Sequence, residues 1–275
     1  MESLALSPEE DVVTAEADRL LKRLAHGKVT LPVLPSVAQR VMALASDPDA
    51  SVRDIVDVLK GDQSLTSYVL KVANSPLFTP TSPIVSVQQA CTRLGATQLR
   101  DLALMVSLSS TFKVNGWERE LAELFRHAVG CAYFAQEIAR KRRLNVEEAF
   151  LAGLLSDVGM SAALAMAVGA ELDRMSTLML VDRVHTEVGA TLVSSWGLPR
   201  SIELVARNHH MSARGEVLIH LVQLADVLAR VAFEETDRTR VDAHPAIDAL
   251  MLYPEDIDAL LGLAPRALEA AGAFS

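Results

Sequence analysis

An apolar run that encloses a single acid lies near the middle of the chain and reads Phe150-Leu-Ala-Gly-Leu-Leu-Ser-Asp-Val-Gly-Met160. Its large apolar residues, from Phe150 to Leu155, predict the end of a buried helix that runs on into Gly159. Asp157 lies inside this run, and burying a carboxylate without a partner is costly. The sequence therefore predicts that Asp157 faces a partner side chain in the core. Gly153 and Gly159 are expected to let another helix approach closely.

The composition favours a protein built from helices. Half of the 275 residues are apolar, with Leu, Ala and Val predominant, and only 4% are aromatic. This mixture suits helix-on-helix packing better than a β-sandwich. No stretch shows the persuasive alternation of apolar and polar residues that a half-buried strand would need. We therefore predict an all-α, multi-helix fold.

Charge, cysteine use and hydropathy exclude several classes of function. The net charge of −9 argues against general nucleic-acid binding, which needs a basic face. Cys91 and Cys131 have no Cys-x-x-Cys spacing, so neither a disulfide nor a zinc finger is expected. The first residues lack the basic and apolar regions of a secretion signal, and no run of about 18 apolar residues occurs. We expect a cytoplasmic protein without membrane insertion.

Capping patterns predict where several helices begin. Ser51-Val-Arg-Asp54, Ser86-Val-Gln-Gln89 and Asn145-Val-Glu-Glu148 each place a capping side chain three residues before a second polar one, and Gly95 predicts a helix end. In the second half, helices are predicted at Trp117–Arg143, Leu178–Trp196, Pro199–His209, Glu216–Thr236 and Pro254–Leu263. The turn Val114-Asn-Gly116 divides a smaller N-terminal bundle from a longer C-terminal one. Because both are apolar, we expect them to pack as one body.

Histidines and acids interrupt apolar helical faces in the second half of the chain. They are His127, Asp157, His185, His209, His210, His220 and Asp226. Separate helices that carry imidazole and carboxylate groups into one pocket are how a bundle builds a metal site. The alternative is that each histidine caps a helix or fills the core with one hydrogen bond. The residues alone leave both interpretations open.

Six short stretches follow one another along the chain: Leu31-Pro-Val-Leu-Pro35, Asp47-Pro-Asp-Ala-Ser51, the run from Leu65 to Asn74-Ser75, Ala90-Cys-Thr-Arg-Leu-Gly95, Ala149-Phe-Leu-Ala-Gly-Leu-Leu155, and Val188-Gly-Ala190 leading to Trp196-Gly-Leu-Pro199. Taken in this order, they resemble the HDOD family, an output domain of bacterial signalling. The likeness covers about Leu31 to Arg230, and its ordered succession is more specific than any one motif.

The resemblance implies a division of the chain. Residues 31–235 would form an HDOD-like domain, with a smaller N-terminal helical part (31–114) packed on an HD-like bundle (117–235). Residues 1–30 would be an N-terminal helical extension, and residues 236–275 a C-terminal helical tail.

The resemblance also implies a degenerate catalytic site, since HDOD domains are similar in fold to the HD metal-dependent phosphohydrolases. The positions that match the HD pattern are His127, Ser156, Asp157, His185, His209 or His210, and Asp226. Ser156 stands where the histidine of the His-Asp pair would be. A hydroxyl is a weak ligand beside imidazole, so a dinuclear metal site is not expected.

We therefore predict no catalytic residue and no cofactor, and treat these seven positions as vestigial. Without a metal, Asp157 is expected to pair with a protonated His127 as a structural contact. A single divalent metal held by His127, Asp157 and Asp226 is the alternative.

Two functional hypotheses follow. The first is a non-catalytic, stand-alone HDOD-type regulatory protein that binds signalling proteins or a small ligand in a bacterial signal transduction pathway. The second is a residual metal-dependent phosphohydrolase acting on a nucleotide or cyclic dinucleotide. A nucleic-acid regulator has only Arg140-Lys-Arg-Arg143 in its favour, and the net charge disfavours it. That basic run is expected to complement a helix C-terminus, with an anion or partner patch as the alternative.

Overall fold

The computed structural model of the protein describes residues 8–47, 49–74, 82–211 and 215–272. Every regular element in these ranges is a helix, which confirms the all-α prediction. Residues 1–7 and 273–275 of the predicted extension and tail lie outside the described residues. So do Pro48 and Ser75, which belong to two of the motifs that carry the family resemblance.

The described ranges contain fifteen helices. In chain order they are α1 (Pro8–Ala25), α2 (Ser36–Ser46), α3 (Val52–Lys60), α4 (Gln63–Ala73), α5 (Val87–Thr111), α6 (Glu118–Arg142), α7 (Val146–Leu155), α8 (Val158–Ala167), α9 (Arg174–Ser195), α10 (Arg200–Asn208), α11 (Val217–Ala232), α12 (Thr239–Asp242), α13 (Ala246–Ala249), α14 (Pro254–Leu261) and α15 (Ala264–Gly272).

The predicted helix starts are confirmed by their hydrogen bonds. Ser51 and Asp54 form a reciprocal capping box at α3. Ser86 accepts a bond of 3.2 Å from the Gln89 amide at α5. Asn145 accepts from two amides at the start of α7, both at 3.1 Å. Each cap satisfies backbone donors that the first turn of a helix leaves unpaired.

Gly95 breaks the helical backbone inside α5, as predicted. Its φ of 78° and ψ of 167° lie outside the helical region, in a conformation that side-chain-bearing residues rarely adopt. The helix resumes at once, so α5 is two helical segments joined at a kink. Glycine at this position therefore turns one long apolar segment into two that point in different directions.

The C-terminal bundle is built on α6, against which α7 and α11 pack, while α8 and α10 both pack against α9. The helices α2, α3 and α4 pack on α5 to form the smaller N-terminal layer. The buried apolar side chains of both layers belong to one continuous cluster. Helix α1 lies against α9, so the first helix of the chain contacts the C-terminal bundle rather than the layer that follows it in sequence.

Two glycines allow the close helix contacts that the sequence predicts. A Cβ atom on Gly153 of α7 would lie 2.9 Å from the Ala132 Cα atom of α6. A Cβ atom on Gly159 of α8 would lie 2.6 Å from the Gly189 amide nitrogen of α9. Neither distance leaves room for a methyl group. The Gly159–Gly189 crossing fixes the position of the turn that precedes α8, and Asp157 lies in that turn.

The C-terminal tail packs on the same bundle. Helices α14 and α15 contact α6, and α13 contacts α11. The sequence did not predict α8, α12, α13 or α15. The basic run lies at the C-terminus of α6, where Arg140 pairs with Glu137 and Lys141 donates a 3.0 Å bond to Asp256 of the tail.

One segment, Val146–Ala167, is long and apolar enough to cross a membrane by length and composition alone. It comprises α7 and α8, and 67% of its apolar window is buried inside the protein. Its apolar character is thus accounted for by packing against α6 and α9.

Candidate functional site

Asp157 lies in the turn between α7 and α8, where it faces two histidines. Its Oδ1 atom is 3.1 Å from Nε2 of His209, at the C-terminal end of α10, and 3.7 Å from Nε2 of His185 in α9. Both histidines are buried, and the Asp157 side chain is 15% exposed. His209 and His185 are therefore the partner side chains that burial of this acid requires.

The opposite edges of the two imidazole rings are held by backbone carbonyls. His209 Nδ1 lies 3.0 Å from the Ala206 carbonyl oxygen, and His185 Nδ1 lies 2.6 Å from that of Asp182. A carbonyl oxygen only accepts hydrogen bonds, so each Nδ1 must carry the proton and donate it. Both Nε2 atoms are thereby directed at Asp157, in the arrangement that orients metal-binding histidines in proteins.

The electrostatics of the pair follow from burial and contact. Burial raises the pKa of Asp157, but the hydrogen bond and charge of His209, with smaller contributions from His127 and His185, outweigh it and hold this pKa far below 3.8. Burial lowers the pKa of His209, and the bond to Asp157 more than compensates, so its pKa lies above 6.5. The two shifts favour the charged form of each side chain, so Asp157 and a protonated His209 stabilise each other in the metal-free protein.

His210 completes a group of four potential ligands. Its Nε2 atom lies 3.1 Å from Nε2 of His185, and burial together with the charge of His209 lowers its pKa. One ligand atom from each of Asp157, His185, His209 and His210 lies within 4.8 Å of the others. Three imidazole nitrogens and one carboxylate oxygen form a donor set that suits a single transition-metal ion such as zinc.

His127 and Asp226 pair with each other on the other side of Asp157. His127 Nε2 of α6 donates to Asp226 Oδ1 of α11 over 2.7 Å. The predicted pair between Asp157 and His127 is therefore wrong, because α11 places a second acid closer to His127 than the turn before α8 does. The three residues still converge, with ligand atoms within 4.8 Å of one another.

Arg230, one turn further along α11, neutralises Asp226 from the other side. Its Nε atom donates to Asp226 Oδ2 over 3.0 Å. Burial raises the pKa of Asp226, but the bonds from His127 and Arg230 outweigh that effect and lower it. Both oxygens of Asp226 are thus occupied by protein donors, and a fixed cation lies beside them.

Ser156 precedes Asp157 in the turn between α7 and α8. It is buried, and its hydroxyl donates to the Gly153 carbonyl oxygen of α7 over 3.1 Å. A neutral serine hydroxyl held by its own helix is a weak metal ligand beside imidazole.

The residues around Asp157 therefore form two halves that differ in how well they would hold a metal ion. The half made of Asp157, His185, His209 and His210 fits one divalent ion. The half made of His127, Asp157 and Asp226 also brings three potential ligand atoms within 4.8 Å of one another, but it has no histidine at position 156 and the Arg230 guanidinium lies beside Asp226. The alternative of a single metal at His127, Asp157 and Asp226 stays a prediction.

All seven positions that the sequence predicted lie in one region of the structure, but the sequence analysis did not predict the residues around them. Arg230 is the most important, and its spacing of four residues from Asp226 on a helix was a usable signal. Glu235 lies 4.0 Å from His127 Nδ1, an atom that is buried without a hydrogen-bond partner. No sequence pattern indicated that contact.

Comparison with known proteins identifies the family. Residues 31–212 match the family model of the HDOD domain. An uncharacterized protein from Treponema pallidum (strain Nichols) is 23% identical over 218 residues, which are 74% of this chain and 42% of that protein. The chain thus spans less than half the length of this relative.

Solved structures from several bacteria share the fold. A protein from Shewanella amazonensis SB2B, provisionally described as a metal-dependent phosphohydrolase, has a TM-score of 0.75 at 22% identity and covers 98% of this chain and 100% of its own. An HDOD domain protein of unknown function from Geobacter sulfurreducens has a TM-score of 0.69 at 24% identity and covers 93% and 98%. A protein from Marinobacter aquaeolei VT8, provisionally described as a signal transduction protein, has a TM-score of 0.63 at 23% identity and covers 99% and 67%.

Proposed function

This chain belongs to the HDOD domain family, and we propose that it is a non-catalytic regulatory module that acts by binding signalling proteins in a bacterial pathway. The Marinobacter aquaeolei protein of the same fold, with its provisional signal transduction description, supports a signalling role. In this proposal the helical surface binds the partner, and the histidine and aspartate cluster is a structural remnant.

The observation that carries the proposal is the occupation of Asp226. One of its oxygens accepts from His127 and the other from Arg230. A two-metal phosphohydrolase needs these oxygens for an ion, and it needs a ligand at position 156 as well. The Arg230 guanidinium supplies positive charge that a metal would otherwise bring, and it would repel a second cation.

The test is a phosphodiesterase assay on the purified full chain. We would incubate it with manganese, iron or zinc and follow the hydrolysis of bis-p-nitrophenyl phosphate and of a cyclic dinucleotide. We expect no turnover above that of Asp157→Ala. Metal-dependent turnover that is lost in Asp157→Ala would refute the non-catalytic proposal.

A second experiment tests whether metal binding can be restored. The double variant Ser156→His with Arg230→Ala replaces the missing ligand and removes the competing cation. We expect it to bind more metal than either single variant, because each substitution alone leaves one obstacle in place. Equal metal content in all three would show that Arg230 is not what excludes the ion.

A second candidate function is a residual metal-dependent phosphohydrolase that uses one ion. The convergence of Asp157, His185, His209 and His210 favours it, together with the backbone carbonyls that orient two of these rings. An ion held there would supply Lewis-acid activation of a nucleotide or cyclic dinucleotide phosphoester.

Metal content by elemental analysis separates the two candidates. The protein would be purified without chelator, alongside His210→Ala and the matched control His220→Ala, which removes a histidine outside the four-ligand group. About one ion per chain, lost in His210→Ala and kept in His220→Ala, would support the second candidate. Absence of metal in all three proteins would eliminate it.

A further inference from the structure

A cavity of about 420 Å³ lies where the end of α5, the linker 112–117, the first half of α6 and the turn before α8 meet. Most of its wall is apolar and includes Leu108, Phe112, Leu121 and Leu154. Pockets of about 300–1,000 Å³ with apolar walls and a few polar groups are the usual form of small-molecule sites. This cavity has the size and lining of a ligand site.

The polar groups of the cavity lie at two levels, its mouth and its floor. Lys113, Asn115 and Glu118 are exposed and form its mouth, whereas Asp157 is largely buried and lies within it. Asp157 uses Oδ1 for its contacts with both His209 and His185. Among the described residues these contacts leave Oδ2 for an occupant of the cavity.

The polar groups of the described lining favour a hydrogen-bond donor at the floor. A carboxylate only accepts hydrogen bonds, and although His209 offsets part of the charge of Asp157, its Oδ2 atom still prefers a protonated amine to an anion. At the mouth, Glu118 and Lys113 carry opposite charges. The apolar wall between mouth and floor would exclude water from a bound molecule, which strengthens an ionic hydrogen bond at the floor.

We infer that this cavity binds a small molecule with an apolar body and a protonated amine, with the amine at Asp157 and the body against the walls from α5 and α6. The inference adds a small-molecule signal to the proposed protein binding. It rests on the proposed function only because two metal ions bound at Asp157 would occupy its carboxylate. Because the walls come from both the N-terminal layer and the C-terminal bundle, an occupant would contact both.

Three probes that differ only in their head group test the inference. They are 4-phenylbutylamine, 4-phenylbutan-1-ol and 4-phenylbutanoate, titrated into the purified full chain by isothermal calorimetry or ligand-observed NMR. The amine is expected to bind at least about tenfold more tightly than the carboxylate, with the alcohol between them. Equal affinities, tighter binding of the carboxylate or no binding of the amine would overturn the inference.

Variants locate the binding. Asp157→Asn keeps the shape of the cavity and should remove the preference for amine over alcohol, whereas Asp248→Asn makes the same change of charge at an exposed position of α13 and should leave it intact. Ala122→Trp places a large ring at an exposed position of the lining, where it should block entry without disturbing the core. Unchanged amine binding in Asp157→Asn or in Ala122→Trp would place the amine elsewhere and refute the inference.

The outcomes also separate this inference from the proposed function. Absent amine selectivity with no phosphodiester hydrolysis would refute the ligand site and leave the regulatory module standing. Selective amine binding in a protein that hydrolyses phosphodiesters would do the reverse.

Discussion

Substituting alanine for Gly159 tests the helix crossing that positions the candidate site. The new Cβ atom would lie 2.6 Å from the Gly189 amide nitrogen and closer still to the His185 carbonyl oxygen. Ordinary van der Waals contact begins near 3.4 Å, so α8 and α9 would have to separate by at least about 0.8 Å. Both obstacles are backbone atoms of a buried helix and cannot rotate away.

The expected cost follows from overpacking a closely packed interior. Such insertions typically cost about 1–3 kcal/mol, and we expect the upper end, about 3 kcal/mol, because the obstacles are backbone. At about 2–4 °C per kcal/mol for domains of slightly smaller size, Tm would fall by roughly 6–12 °C. Movement of α8 would also draw Asp157 away from His185 and His209.

The assay is thermal and urea unfolding followed by circular dichroism, with Gly169→Ala as the matched control. Gly169 follows α8, is exposed and has no atom within 4 Å of an added Cβ. We expect that control to be neutral or to stabilise by up to about 1 kcal/mol. If Gly159→Ala unfolded within about 1 kcal/mol of wild type, the close crossing of α8 and α9 would be wrong.

Three further predictions concern the caps and the buried pairs. Asn145→Ala should lower the free energy of unfolding by about 1 kcal/mol in urea denaturation, because two amides at the start of α7 lose their acceptor; no change would mean that the cap is not formed. His127→Ala should cost about 3 kcal/mol in the same assay, since it removes a buried ring and leaves Asp226 without one partner; a loss below about 1 kcal/mol would contradict this. In metal-free protein, the stabilisation lost in Asp157→Asn should be largest between about pH 4 and 6.5. Because folding lowers the pKa of Asp157 from 3.8, this carboxylate stabilises the folded state above about pH 3.8. Because folding raises the pKa of His209 from 6.5, the stabilisation from this imidazole is complete below about pH 6.5 and is lost as the pH rises through the pKa of the folded protein. A pH-independent difference between the two proteins, measured by urea titration across pH 4–9, would refute the ion pair.

The helices were largely predictable because their signals are local. A cap such as Asn145 or Ser51 acts on amides two or three residues away, so the pattern that predicts it lies in adjacent residues. The break at Gly95 is local in the same sense, since it depends on the φ and ψ angles of one residue. Helix α8 was missed because small residues such as Ala162 and Ala163 give it little helical periodicity, and it is apolar on more than one side.

The candidate site was predictable as a set of residues but not as a set of pairs. The order of motifs and the resemblance they carry brought His127, Asp157 and Asp226 together correctly. Which acid pairs with His127 depends on how closely α11 and the turn before α8 approach it, and the sequence carries no measure of such distances. The contact between Asp226 and Arg230 is a different case, because both lie on one helix four residues apart and that spacing was a usable signal.

By itself, the sequence determined the all-α class, the helix starts and the need of Asp157 for a partner, because each depends on residue type or on neighbours along the chain. Only the tertiary structure decided that Asp157 pairs with His209, that His127 pairs with Asp226, and that a cavity opens beside Asp157. These features depend on how helices from distant parts of the chain pack, and packing is set by the summed shapes of many side chains rather than by any local pattern.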